Sequence, residues 1–82
     1  MLPWIPYDEE KMLVRDIASI HVGMSQEEAR SRMSPYYGDP KPEVESDGSL
    51  TYVYELDPVL HDPFATVTVK DGRVVDTSVN ID

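Results

Sequence analysis

Gly23-Met24-Ser25-Gln26-Glu27-Glu28-Ala29-Arg30-Ser31-Arg32-Met33 reads as the junction where one helix stops and another begins. Ser25 and Glu28 have the S-x-x-E spacing of a capping box, in which each side chain takes up the other residue's free backbone N–H. Met24 precedes the cap and Ala29 lies four residues inside it, the two positions of a hydrophobic staple. Ala29 and Met33, four apart, share a face. The spacing predicts a short helix over 26–33, stopped by Pro35. Gly23 supplies the left-handed residue that ends the helix before it.

Upstream, Asp8 is a favourable N-cap, and Glu9 and Glu10 suit the positive pole of a helix. Leu13, Ile17 and Ile20 recur at helical spacing, widened by Met12, Val14 and Ala18, and predict a helix over 8–21 with a core-facing stripe. Lys11, Arg15 and Asp16 mark its wet side. Residues 1–7 form an apolar, proline-kinked arm whose Trp4 is expected to pack on the domain's own core.

Downstream of Met33 the pattern changes. Ser34 to Pro42 is a loop with three prolines and the pair Tyr36-Tyr37, read as covering the edge of a small core. Leu50-Thr51-Tyr52-Val53-Tyr54-Glu55-Leu56 alternates with period two and predicts a strand with Leu50, Tyr52, Tyr54 and Leu56 on one face. A three-residue turn at Ser46-Asp47-Gly48 would set Val44 opposite Leu50 and keep one apolar face; a two-residue turn would break it. The last hairpin turns near Asp71-Gly72. The same parity favours a three-residue turn, Lys70-Asp71-Gly72, with Val67 opposite Val75 and Ala65 opposite Thr77. The outer face of the hairpin would then show Thr66, Thr68, Val74, Asp76, Ser78 and Asn80. Between these strands, residues 57–63 form a proline-bearing loop.

The order helix, helix, then strands predicts an α+β fold. Two N-terminal helices pack on one face of a three- to four-stranded antiparallel β-meander, in a single domain spanning 1–82. At 82 residues the chain buries only about 60–70% of the surface its unfolded form exposes, so its stability margin is thin.

Charge and composition bound the function. Seven Lys plus Arg against sixteen Asp plus Glu give a net charge of −9, which disfavours nucleic acid and anionic membranes. Residues 43–82 carry nine acids and two bases, so the charge sits mainly in the sheet half. With no cysteine there is neither a disulfide nor a thiolate metal site. No leader-like stretch or membrane-length apolar run is read, and a cytoplasmic location is expected.

One motif set has a familiar look. Gly23-Met24-Ser25, Glu28-Ala29, Met33 and Gly38-Asp39-Pro40 resemble the signature of the SmpA/OmlA (BamE-like) family. Tyr52-Val53-Tyr54 and Val69-Lys70-Asp71-Gly72-Arg73-Val74 resemble its aromatic strand and closing hairpin. The resemblance covers roughly residues 20–80. It implies two helices on a three-stranded antiparallel sheet, similar also to the domains of β-lactamase-inhibitor proteins, and a non-catalytic module that binds other proteins. Ser34 to Tyr37 is an insertion relative to that signature, and the family's acylated cysteine has no counterpart here.

No catalytic pattern competes with this. None of the serines sits in a nucleophile elbow, and Ser25 is spent on capping. The glycines all serve turns rather than a phosphate loop. His21 and His61 lack the spacing of metal ligands, and no metal or cofactor is expected. The favoured expectation is a small non-catalytic protein-binding module, an inhibitor or immunity protein. It would hold a basic partner on the outer sheet face through Thr51, Val53, Glu55, Thr66, Thr68, Val74, Asp76 and Ser78. Two alternatives stand beside it: a small hydrolase or metal-dependent enzyme around His61 and its acidic neighbours, and a self-assembling structural subunit that pairs the exposed edge of the last hairpin.

Overall fold

The computed structural model describes residues 9–56 and 63–80, and its elements follow the predicted order. Helix α1 spans Glu9–Ala18 and α2 spans Gln26–Arg32, followed by a 3-10 turn, Pro35–Tyr37. Strands β1 (Glu43–Val44), β2 (Leu50–Glu55), β3 (Phe64–Lys70) and β4 (Arg73–Asn80) form one antiparallel sheet in the order β1-β2-β3-β4. This is the α+β fold expected, with both helices N-terminal to the sheet. Trp4, Asp8 and the loop bearing Val59, Leu60 and His61 lie outside the described residues.

Both helices cover one side of the sheet. Leu13, Ile17 and Ile20 from α1 and its exit, with Ala29 and Met33 around α2, meet Tyr52, Tyr54, Ala65, Val67, Val69 and Val74 in one buried cluster. Alternation in β2 and β3 leaves Thr51, Val53, Glu55, Thr66 and Thr68 on the opposite side. Among the described residues, no helix is long and apolar enough to cross a membrane.

Helix α1 stops earlier than predicted. Ser19 and Ile20 donate their N–H groups to the carbonyls of Asp16 and Ile17, a 3-10 tightening of the last turn, so Gly23 does not end this helix. The 23–26 stretch runs instead along the start of β4. Gly23 N–H donates to Val74 O (2.8 Å), Val74 N–H to Met24 O (2.8 Å) and Gln26 N–H to Gly72 O (2.9 Å), with a bridge between Ser25 and Arg73. The junction between the helices is thus also a short cover on the sheet edge. Half of the capping box forms: Ser25 Oγ accepts from the Glu28 N–H (3.2 Å), while the Glu28 carboxylate turns to Arg32, one helical turn on (3.0 Å).

Asp16 is not on the wet side. Its carboxylate accepts from the Ser34 N–H and from the Tyr37 hydroxyl, each at 3.1 Å, and so ties α1 to the 3-10 turn.

The turn at Gly48 has the predicted length. Val44 stands opposite Leu50, and Asp47 Oδ1 accepts from the Ser49 N–H (2.9 Å) and Oγ (2.6 Å). These bonds, with Lys70 nearby, hold the Asp47 carboxyl below its ordinary pKa. Val44 nevertheless contributes nothing to the core. It is 74% exposed, because β1 is only two residues long and contributes no residue to the buried cluster.

The last hairpin departs from the expected register. Its turn has two residues, Asp71 (φ 54) and Gly72 (φ 78), both left-handed, with Lys70 opposite Arg73 and Val69 opposite Val74. Such a turn matches the right-handed twist of the strands and needs positive φ at both positions. A bulge then shifts the register between Thr68 and Val69: Thr68 faces Asp76, Val67 faces Thr77 and Ala65 faces Val79. The extra residue is Val75, 45% exposed, while Val74 is buried at 1%. Val67 is therefore not opposite Val75, nor Ala65 opposite Thr77. The parity argument weighed turn lengths only, and a bulge restores parity without lengthening the turn.

Candidate functional site

The outer sheet face is the surface that the sequence proposes for binding, and seven of its eight residues lie there. Register sets Glu43, Thr51, Thr68 and Asp76 in one row across the strands. Val53, Thr66 and Ser78 form the next, and Glu55, Phe64 and Asn80 the third. Val74 is the exception. The two-residue turn sets it opposite Val69 and so in the core, where no partner can touch it, and it leaves the site.

Hydroxyls form the middle of this platform. Thr66 Oγ1 and Ser78 Oγ lie 2.6 Å apart, and Thr51 Oγ1 and Thr68 Oγ1 lie 3.5 Å apart. Cross-strand pairing of this kind stiffens the face and holds the threonine rotamers. The charges lie at the margins. Glu43 and Asp76 end one row and Glu55 begins another, while Lys70 and Arg73 stand together at the hairpin turn. Those two bases are drawn elsewhere: Lys70 Nζ lies 3.8 Å from Asp47, and Arg73 Nη1 donates to Gly23 O at 2.9 Å. The platform is thus hydroxyl-rich with acidic margins rather than acidic throughout.

Two features of this surface were missed in the sequence. Phe64, half-buried, sits in the outer rows beside Glu55 and diagonal to Val53, a position that alternation from Thr66 would have shown. The second is a groove of about 410 Å³ where the platform meets the proline-rich loop, lined by Tyr36, Tyr37, Asp39, Pro40, Val53, Glu55 and Leu56. The tyrosine pair divides its labour. Tyr37 packs edge-on to Tyr54 (5.8 Å between ring centres) and bonds Asp16, the covering role expected of both. Tyr36 stands edge-on to Tyr37 and is 59% exposed, an aromatic wall for the groove.

A second hollow, of about 340 Å³, lies between α2 and the Pro35–Tyr37 turn, over Tyr54. Arg30 and Asp39, both on its lining, pair at 2.9 Å. Burial pushes the Tyr54 phenol above its ordinary pKa of 10.0. Among the described residues no three His, Cys, Asp or Glu side chains gather to hold a metal ion. His61, Asp57 and Asp62, on which the enzymatic alternative turns, lie outside the described residues.

No protein-family model matches the chain, and no curated protein or solved structure matches it at a significant level. The resemblance to the SmpA/OmlA family accordingly rests on the short motifs themselves. Helix-capping and turn chemistry account for part of those motifs, as the Ser25 cap and the Asp71-Gly72 turn illustrate.

Proposed function

We propose that this protein is a small non-catalytic binding module, an inhibitor or immunity-type protein, that holds a basic partner protein against its outer sheet face. The observation that carries this reading is the outer face, which no helix or strand among the described residues covers. Thr51, Val53, Thr66 and Thr68 form a stiff, partly apolar platform, with both helices on the other side. The Tyr36 groove adjoins it and adds an aromatic wall next to Glu55, a setting suited to a lysine or arginine side chain from the partner. Acidic margins and a net charge of −9 favour and steer a partner of opposite sign. The family resemblance and the cytoplasmic setting belong to the same proposal.

The test is capture from an extract of the source organism at low salt, using the native chain beside a Val53→Lys/Thr66→Lys variant. Both side chains point away from the core, but they stand opposite each other, so the comparison uses the variant only where its circular dichroism spectrum matches that of the native chain. A basic protein retained by the native chain, lost with the variant and released as salt rises supports the reading. Identical capture by both chains, or capture indifferent to salt, overturns it.

A further inference from the structure

Three tyrosines pack in or against the core, and their hydroxyls fare differently. The Tyr37 hydroxyl donates to Asp16, and the Tyr52 hydroxyl accepts from Gln26 Nε2. Tyr54 is 5% exposed, and no protein group among the described residues hydrogen-bonds its hydroxyl. A buried hydroxyl without a partner lowers stability, and phenylalanine would fill the same space without that loss. The Tyr54 ring borders the hollow of about 340 Å³ between α2 and the 3-10 turn, a volume near the lower end of small-ligand sites. Burial acts most strongly on the phenol, but the Arg30 and Asp39 charges act on it as well, so the hydroxyl stands at the same end of the hollow as that ion pair. Tyr54 is thus a buried polar group turned toward a space that a ligand can enter.

We propose that this hollow binds a guanidinium group on a short alkyl stem, with Tyr54, Asp39 and Glu27 as its acceptors. The lining selects the charge. Glu27 and Asp39 outnumber Arg30, whose Nη2 already lies 2.9 Å from Asp39 Oδ1. An anion entering here would face both carboxylates and compete with Asp39 for Arg30. A cation instead meets Glu27 and the second Asp39 oxygen, neither of which has an ion-pair partner among the described residues. The net charge of −9 acts in the same direction. The mixed acceptors select the group. An ammonium is a compact, strongly hydrated point charge. A guanidinium is more weakly hydrated and carries five N–H donors in one plane, so it serves a buried phenol oxygen and two carboxylates together. Met33, buried in the wall, and Pro35 offer apolar surface to the stem. The site lies on the helix side of the sheet, because Tyr54 points to the core while Val53 and Glu55 face outward. It therefore stands or falls apart from the outer-face reading. The same group can belong to a free small molecule or to an arginine side chain of another protein, and what is attached beyond the stem tells them apart.

Titration of the native chain with propylguanidinium, followed by amide NMR shifts, tests this. Saturable shifts are expected, largest at Arg30, Asp39 and Tyr54 and half-complete at about 1–10 mM. Propylammonium should bind more weakly, and acetate should leave these amides unmoved. Asp39 also borders the Tyr36 groove, so Tyr54 and Glu27, which do not, carry the mutational test. Tyr54→Phe should weaken propylguanidinium binding at least about tenfold, while the urea midpoint of the free chain at neutral pH stays level or rises. Glu27→Gln, at an exposed position, should weaken binding about threefold. A blocked arginine, Nα-acetylarginine methylamide, separates the two sources. Binding equal to that of propylguanidinium shows that the site admits an arginine within a chain, and binding of propylguanidinium alone confines it to a free small guanidine. Equal affinity of the native chain and Tyr54→Phe, shifts that do not saturate by about 50 mM, or tighter binding of acetate at the same amides overturns the proposal.

Discussion

Val74 lies directly opposite Val69 on the helix side of the sheet, while its neighbour Val75 opposes no residue of β3. Two adjacent valines of equal hydrophobicity therefore differ sharply in energetic weight. Val74→Ala removes buried methyls from a packed site and should cost about 2 kcal/mol of folding stability. Val75→Ala, at a half-exposed bulge position, should cost under about 0.5 kcal/mol. Urea denaturation of the two variants checks this, and equal losses would contradict the bulge.

The turn that precedes the bulge can be tested separately. An added Cβ at Gly72 would meet no heavy atom within 4 Å, so Gly72→Ala introduces no clash. Its φ of 78 lies in the left-handed region, and the conformational cost should be about 1–2 kcal/mol. A three-residue turn would hold Gly72 left-handed as well but leave Asp71 right-handed. The residue that distinguishes the two is therefore Asp71 (φ 54): Asp71→Ala should lower the denaturation midpoint in the two-residue turn and barely move it in the longer one, with Asp71→Asn as the tolerated control.

What could be read in the sequence, and what could not, follows from the range of each signal. The S-x-x-E cap, the Leu13/Ile17/Ile20 stripe and the alternation of residues 50–55 and 64–69 are local, and they fix the helices, strands and faces found. The outer platform was legible for the same reason in Thr51, Val53, Glu55, Thr66 and Thr68, and, with parity restored, in Asp76 and Ser78. Val74 was misplaced because a bulge is a property of two strands together. Nothing in Arg73-Val74-Val75-Asp76 alone says which valine the partner strand selects. The Asp16 clasp and the Tyr36 groove depend on contacts between residues some twenty positions apart or on the path of a proline-rich loop, and neither has a periodic signal.

Asp16 offers a direct test of that clasp. Its carboxylate receives both the Ser34 N–H and the Tyr37 hydroxyl, half-buried between α1 and the 3-10 turn. Asp16→Ala leaves both donors without their acceptor and should cost about 1–3 kcal/mol. Tyr37→Phe removes one of the two bonds and keeps the ring on Tyr54, so its loss should be smaller. Asp16→Ala should also loosen the Tyr36 ring, visible as changed aromatic shifts and faster exchange of the Tyr36 amide. A loss under about 0.5 kcal/mol, typical of a surface carboxylate, would place Asp16 back in solvent.

Tyr54 sets how the fold meets alkaline pH. Its ring lies in the core, 5% exposed, and burial raises the phenol pKa above 10.0 because the phenolate would lose hydration there. The unfolded chain releases this proton at about 10, and the folded chain holds it longer. Between those two values the folded state binds more protons than the unfolded one, so stability falls as pH rises. The contribution is complete below pH 10 and declines as pH climbs from there toward the folded value. Tyr54→Phe carries no ionisable proton at this site and keeps the ring. Its stability should therefore fall less steeply above pH 10 than that of the native chain, with little difference between the slopes at neutral pH. Paired urea titrations from pH 7 to pH 11 measure this, and parallel curves for the two chains throughout would show that the Tyr54 hydroxyl is solvated.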